Sequence, residues 1–151
     1  MAQKNISNSL TTYNGRVQKS DLNGYGFMHG GRLLTLCDEI GYLAAKKHAK
    51  CDCLTRAAHN IEFFSTMKEK ALFSVQAQVV STGKTTMWVD CVIKNKQQTV
   101  MSGVFVYIAI DKNFKSIPVP AIQIQNQQEK KAQLSLQQLY DQVTMKTEKK
   151  P

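Results

Sequence analysis

The chain has 151 residues, 42% of them hydrophobic and 21% charged, which is enough apolar content for one folded domain and too much for a disordered chain. A formal net charge of +9 suits a nucleic acid, an anionic lipid or a multiply phosphorylated small molecule, and does not choose among them. The first dozen residues lack the apolar stretch of a secretory signal, and no apolar run reaches the length of a membrane span, so a cytoplasmic location is expected.

Residues 1–12 read as a flexible leader, and a domain is expected over residues 13–122, beginning with a short strand over residues 13–19. A glycine-rich turn follows, from Asp21 through Gly24, Gly26 and His29 to Gly30 and Gly31. From Gly30 to Ala49 the period is helical. Leu33, Leu36, Cys37, Ile40, Leu43 and Ala44 recur at spacings of three and four and form one apolar stripe, which Asp38 flanks. Lys46, Lys47 and Lys50 complement the negative end of the helix dipole.

After the helix the period changes to two. Leu54 to Phe64 reads as a strand with Ala57, His59, Ile61 and Phe63 on one side. Ala71 to Val80 alternates with Phe73, Val75, Ala77 and Val79 facing one way. Thr85 to Ile93 does the same with Met87, Val89, Cys91 and Ile93. Val100 to Ile110 is apolar on both faces and is expected to be covered on both. Short connections favour antiparallel pairing, and one helix covers only one sheet face, so an oligomer is expected to cover the other. Residues 123–151 form a Gln- and Lys-rich tail with a short helix predicted over Gln133 to Val143.

Leu22 to Gly31 followed by Leu33 to Glu39 resembles the glycine–glycine–aspartate signature of the hot-dog-fold acyl-CoA thioesterases, the group of bacterial acyl-CoA hydrolases and brain-type cytosolic acyl-CoA hydrolases. Further matches follow in register at Asn60 to Phe63, Ser81 to Met87, Val106 to Ile108 and Pro118 to Pro120, so that the likeness spans residues 16 to 125. The resemblance implies an α+β fold, an antiparallel sheet wrapped around one long helix. It implies hydrolysis of acyl-CoA to fatty acid and CoA, with active sites at dimer interfaces and chains assembled as a hexamer, a trimer of dimers. A hot-dog module that binds acyl-CoA without hydrolysing it is the alternative. CoA enters as part of the substrate, no separate cofactor is implied, and neither nucleic acid nor a membrane is an expected partner.

The family's catalytic carboxylate falls on Asp38, and an asparagine used by some members falls on Asn23. Other members place a functional asparagine where this chain has Phe27. Thioester hydrolysis also needs a donor for the charge that develops on the carbonyl oxygen. The Gly31 N–H at the helix start is the expected donor, since Gly30 and Gly31 leave room for a thioester to approach. Asp38, acting from a neighbouring protomer, would deprotonate water or attack the carbonyl itself. His29 is expected to shape the pocket. Gly83, Lys84 and Thr85 match the segment that lines the CoA groove, with Lys84 as the phosphate contact and Arg56, Lys112 and Lys115 as further cations. Cys51 and Cys53 lack zinc-knuckle spacing, so reduced thiols are expected.

Overall fold

In a computed structural model the described residues are 1–124 and 126–148. The predicted helix is present with the expected bounds, α1, Gly30–Ala49. His29 caps its start, and Lys50 ends it in the left-handed conformation with its N–H on the Lys46 carbonyl. Leu33, Leu36, Cys37, Ile40 and Ala44 are buried as the stripe requires. Leu43 is not. It is 47% exposed, on the side of the helix that carries Asp38.

Strands build the sheet frame around α1. They are β2 (Thr11–Arg16), β3 (Asp52–Phe63), β4 (Leu72–Thr82), β5 (Thr86–Asn95), β6 (Gln98–Ile110) and a short parallel pair, β1 (Lys4–Asn5) with β7 (Ile122–Gln123). The main sheet is antiparallel with order β2-β4-β5-β6-β3, which leaves β3 as a twelve-residue edge strand. The inward faces of β4 and β5 are as read from the alternation: Val75, Ala77, Val79, Met87, Val89, Cys91 and Ile93 are all fully buried.

On β3 the alternation misleads. Ala57 and His59 face away from α1, where the His59 ring stacks on Trp88 at 5.5 Å between centroids. Ile61 instead packs into the main core, with its side chain against Gly103. The reason is two register shifts, one between Thr55 and Ala57 and one between His59 and Glu62, with Asn60 at a positive φ of 52°. Each extra residue resets which face the strand presents.

The chain's two ends are more engaged than a leader and a tail. Ile6 and Ser9 are buried, and the Ser9 hydroxyl accepts a hydrogen bond from the Val79 N–H at 2.7 Å. The polar composition of this segment hides a single apolar anchor and a single hydroxyl that satisfies a strand donor. The tail helix, α2 (Gln127–Glu148), is longer than predicted. Its Leu139 packs on Trp88, Val104 and Val106, so part of the cover for the outer sheet face comes from the same chain. The side chains of Leu136 and Val143, also expected on this helix, lie outside the described residues. Among the described residues no helix is long and apolar enough to cross a membrane.

His48 joins these ends to α1. Its Nε2 donates to the Pro120 carbonyl at 2.7 Å, and its Nδ1 is buried with no partner among the described residues. Burial lowers its pKa from 6.5, partly offset by the Pro120 bond, and the Lys4 ammonium lowers it further. A second proton would sit on Nδ1 with no acceptor. His48 therefore stays neutral in the folded chain and takes up its proton in the unfolded one. Its contribution to stability is complete above pH 6.5 and is lost as pH falls through the lower folded value. The thermal midpoint is expected to drop between pH 7 and 5, and the drop to be smaller in His48→Gln; equal pH slopes in the two proteins would remove His48 as the cause.

Candidate functional site

Asp38 projects from α1 toward β3 and is half-buried. Its Oδ1 accepts hydrogen bonds from the Thr55 hydroxyl at 2.7 Å and the Tyr107 hydroxyl at 3.2 Å. The Tyr107 hydroxyl also lies 2.8 Å from the Asp38 main-chain carbonyl. Among the described residues Oδ2 accepts none. Burial first, then the Asp38 charge and hydrogen bond, push the Tyr107 phenol well above its ordinary pKa, so it stays a donor at working pH. Asp38, Glu39, Tyr42, Leu43 and Thr55 line an open depression of about 380 Å³. The carboxylate therefore has one oxygen fixed by hydroxyls and one available to solvent or substrate.

The glycine loop is a rigid, separate feature. Asn23 closes it: its Oδ1 accepts from the Tyr25 and Phe27 N–H groups at 2.9 and 3.1 Å, and its own N–H donates to the Phe27 carbonyl at 2.7 Å. Its Nδ2 remains as the group able to meet a ligand. Gly26 holds a φ of +83°, which a side chain would strain. The loop is tied down by the Met28 N–H on the Met67 carbonyl, the His29 N–H on the Asp21 carbonyl, and an ion pair between Arg32 and Asp21 at 3.3 Å.

His29 is exposed, and its Nδ1 accepts from the Gly31 N–H at 3.0 Å. The amide expected to face a carbonyl oxygen is thus engaged by the helix cap, and the ring must turn aside to release it. Gly30 lies against the Phe63 ring, where an added Cβ would sit 3.5 Å from the nearest ring carbon.

Asn23, Gly30 and Gly31 do not line the Asp38 depression. From Gly31 to Asp38 is seven residues, or about 10 Å along one helix. Helix N–H groups point toward the helix start, so the Gly31 amide is directed away from Asp38.

The Ser81–Thr86 turn forms a second hollow of about 300 Å³, lined also by Trp88 and by Gln137 of α2. Gly83 and Lys84 are exposed there, with Thr85 half-buried. The Gly83 N–H donates to the Thr86 carbonyl and the Thr85 carbonyl accepts from Ala109 N–H, which fixes the turn. Arg56 is exposed on β3 at the first register shift. Lys115 is exposed and Lys112 exposed beside it in the turn after β6. A larger depression of about 960 Å³, lined by Arg16, Lys70, Phe73 and Lys96 among others, contains none of the expected site residues.

Cys53 and Cys91 are held as thiols and not as nucleophilic thiolates. Burial pushes Cys53 up to about 12, and the Cys37 hydrogen bond and burial raise Cys91 further. All four cysteines are free.

Thr55 and Tyr107 are the two groups at the site that residue-type reasoning missed. Thr55 carried no motif, and Tyr107 stood only as part of a matching segment. Glu39, next to Asp38 on α1, shares its depression.

One long helix wrapped by an antiparallel sheet, with a glycine loop at its start and a carboxylate on its flank, defines a hot-dog-fold protein. The chain belongs to the thioesterase superfamily, whose family model matches residues 25–102. It is similar to the cytosolic acyl coenzyme A thioester hydrolase of Rattus norvegicus, 27% identical over 123 residues that cover 76% of this chain and 32% of that one. The chain thus spans about a third of the length of the curated cytosolic hydrolases it matches. Among solved structures it superposes on an acyl-CoA hydrolase from Staphylococcus aureus in complex with butyryl coenzyme A, coenzyme A and coenzyme A disulfide, with TM-score 0.86, 24% identity, and coverage of 98% and 92%. It also superposes on an apo-hexameric acyl-CoA thioesterase with TM-score 0.90, 23% identity, and coverage of 99% and 100%.

Proposed function

We propose that this chain hydrolyses acyl-CoA thioesters to a free carboxylic acid and CoA. The observation that carries the proposal is the Asp38 carboxylate, pinned through Oδ1 and open at Oδ2 on the floor of a solvent-facing depression. Oδ2 takes a proton from water as the water oxygen bonds to the thioester carbonyl carbon, and the carbonyl electron pair moves onto its oxygen. That oxyanion meets the Gly31 N–H of a second protomer once His29 has turned aside. Collapse re-forms the carbonyl and breaks the C–S bond. The CoA thiolate leaves and recovers the proton from Asp38.

The names of the rat and staphylococcal relatives support the substrate class. The roughly 10 Å between Gly31 and Asp38 on one helix, and the open edge of β3, support a site shared by two chains. The hexameric relative supports a hexamer, which three such dimers would build. In this reading Asn23 Nδ2 orients the attacking water or the thioester, while Gly30 and His29 shape the approach. Gly83, Lys84 and Thr85 receive the CoA phosphates, with Arg56, Lys112 and Lys115 as supporting cations. The CoA is substrate, no separate cofactor takes part, and a cytoplasmic enzyme would meet it directly.

Release of free thiol from a panel of acyl-CoAs of increasing chain length tests the proposal. Purified protein is expected to release thiol from at least one of them steadily and well above the blank. Tight acyl-CoA binding with no thiol release at any chain length would instead make it a binding module.

A further inference from the structure

We propose that Tyr107 is a positioning residue of this site: its hydroxyl holds Asp38 Oδ1 so that Oδ2 is the oxygen presented to water. The inference rests on the reading of Asp38 as the working carboxylate. Three features of the fold converge on that hydrogen bond. Tyr107 is fully buried on the inward face of β6, so its ring has no freedom to point elsewhere. Its cross-strand partner in the β3–β6 ladder is Thr55, which puts the two hydroxyls side by side on the same sheet face and under the same carboxylate. The register shift that follows Thr55 keeps this pair inward while the rest of β3 turns its Ala57 and His59 outward.

Gly41, one turn beyond Asp38 on α1, completes the arrangement. A Cβ there would overlap the Tyr107 hydroxyl, so the helix is open at the one place where the phenol must pass to reach Asp38. The phenol's single proton has two acceptors, the Asp38 carbonyl and Oδ1, at 2.8 and 3.2 Å. It therefore ties the carboxylate to the helix backbone from which it springs, and Thr55 ties it to the sheet. With Thr55 on Oδ1 and the Tyr107 proton shared between Oδ1 and the main-chain carbonyl, the carboxylate is held against rotation, and Oδ2 has no donor among the described residues.

Tyr107→Phe keeps the buried ring and removes only the donor. Its kcat is expected to fall about 3- to 10-fold with KM within about twofold of the parent. The loss falls on kcat and not on KM, because the hydrogen bond positions the base and does not bind substrate. A merely structural tyrosine would lower the thermal midpoint and leave kcat of the folded protein unchanged. Should Tyr107→Phe not fold, Gly41→Ala crowds the same hydroxyl from the helix side and is expected to lower kcat with KM likewise little changed. If Asp38→Asn is inactive while Tyr107→Phe matches the parent in kcat and KM, this inference is wrong and the reading of the site stands. If Asp38→Asn keeps full activity, both fall together.

Discussion

Asp38→Asn is expected to lower kcat for acyl-CoA hydrolysis about a thousandfold, the range of a lost general base. The substitution is close to isosteric. The amide oxygen it introduces would still accept from Thr55 and Tyr107, which now hold Asp38 Oδ1 at 2.7 and 3.2 Å, so neither hydroxyl is left unpaired. The amide nitrogen would face the depression in place of Oδ2, and it cannot take a proton from water. Thermal midpoint and affinity for CoA are therefore expected to stay near those of the parent while turnover collapses. Thiol release within about tenfold of the parent would place the chemistry on another group. A large loss of stability would mean that the carboxylate's charge serves the fold instead.

What could be read from the residues followed the range of the interactions involved. The bounds of α1, the inward faces of β4 and β5 and the flank position of Asp38 depend on neighbours within one helix turn or one strand step. The glycine loop was legible for the same reason, since Gly26 and Asn23 close it locally. β3 was not. Its alternation placed Ala57, His59 and Ile61 on one side, and the two register shifts that separate them answer to β6, not to anything within the strand. The same gap hid Thr55. Read by alternation it shares a face with Ala57 and His59, whereas the shift at Arg56 turns it toward Asp38. Tyr107 is 69 residues from Asp38, so its role depends on a contact that only the folded sheet creates. At the helix start, sequence singled out the Gly31 amide and not the His29 ring that occupies it, because residue type does not fix a side-chain rotamer.

Mixing two inactive variants is expected to restore activity. In the shared-site reading, each site takes its carboxylate from one chain and its oxyanion donor from the other. Asp38→Asn removes the first. Gly31→Val obstructs the second, because a branched side chain fills the approach to the amide of an exposed residue, where an added Cβ would lie 3.2 Å from the His29 ring. Blocking one such donor costs about a hundredfold. Each homodimer then has two defective sites. A mixed dimer has one site carrying both defects and one carrying neither. Random pairing of equal amounts makes about half of the dimers mixed, so co-expressed chains should recover about a quarter of the parent rate. Were the carboxylate and the amide to act within one chain, no mixed dimer would hold an intact site, and the rate would stay at the level of the separate variants. The geometry of α1 favours recovery. Seven residues of helix separate Gly31 from Asp38 by about 10 Å, and the Gly31 N–H points toward the helix start, away from Asp38. The long exposed edge of β3, with Leu54 and Thr55 at the margin of the Asp38 face, gives a second chain a place to pair and to bring its own loop alongside.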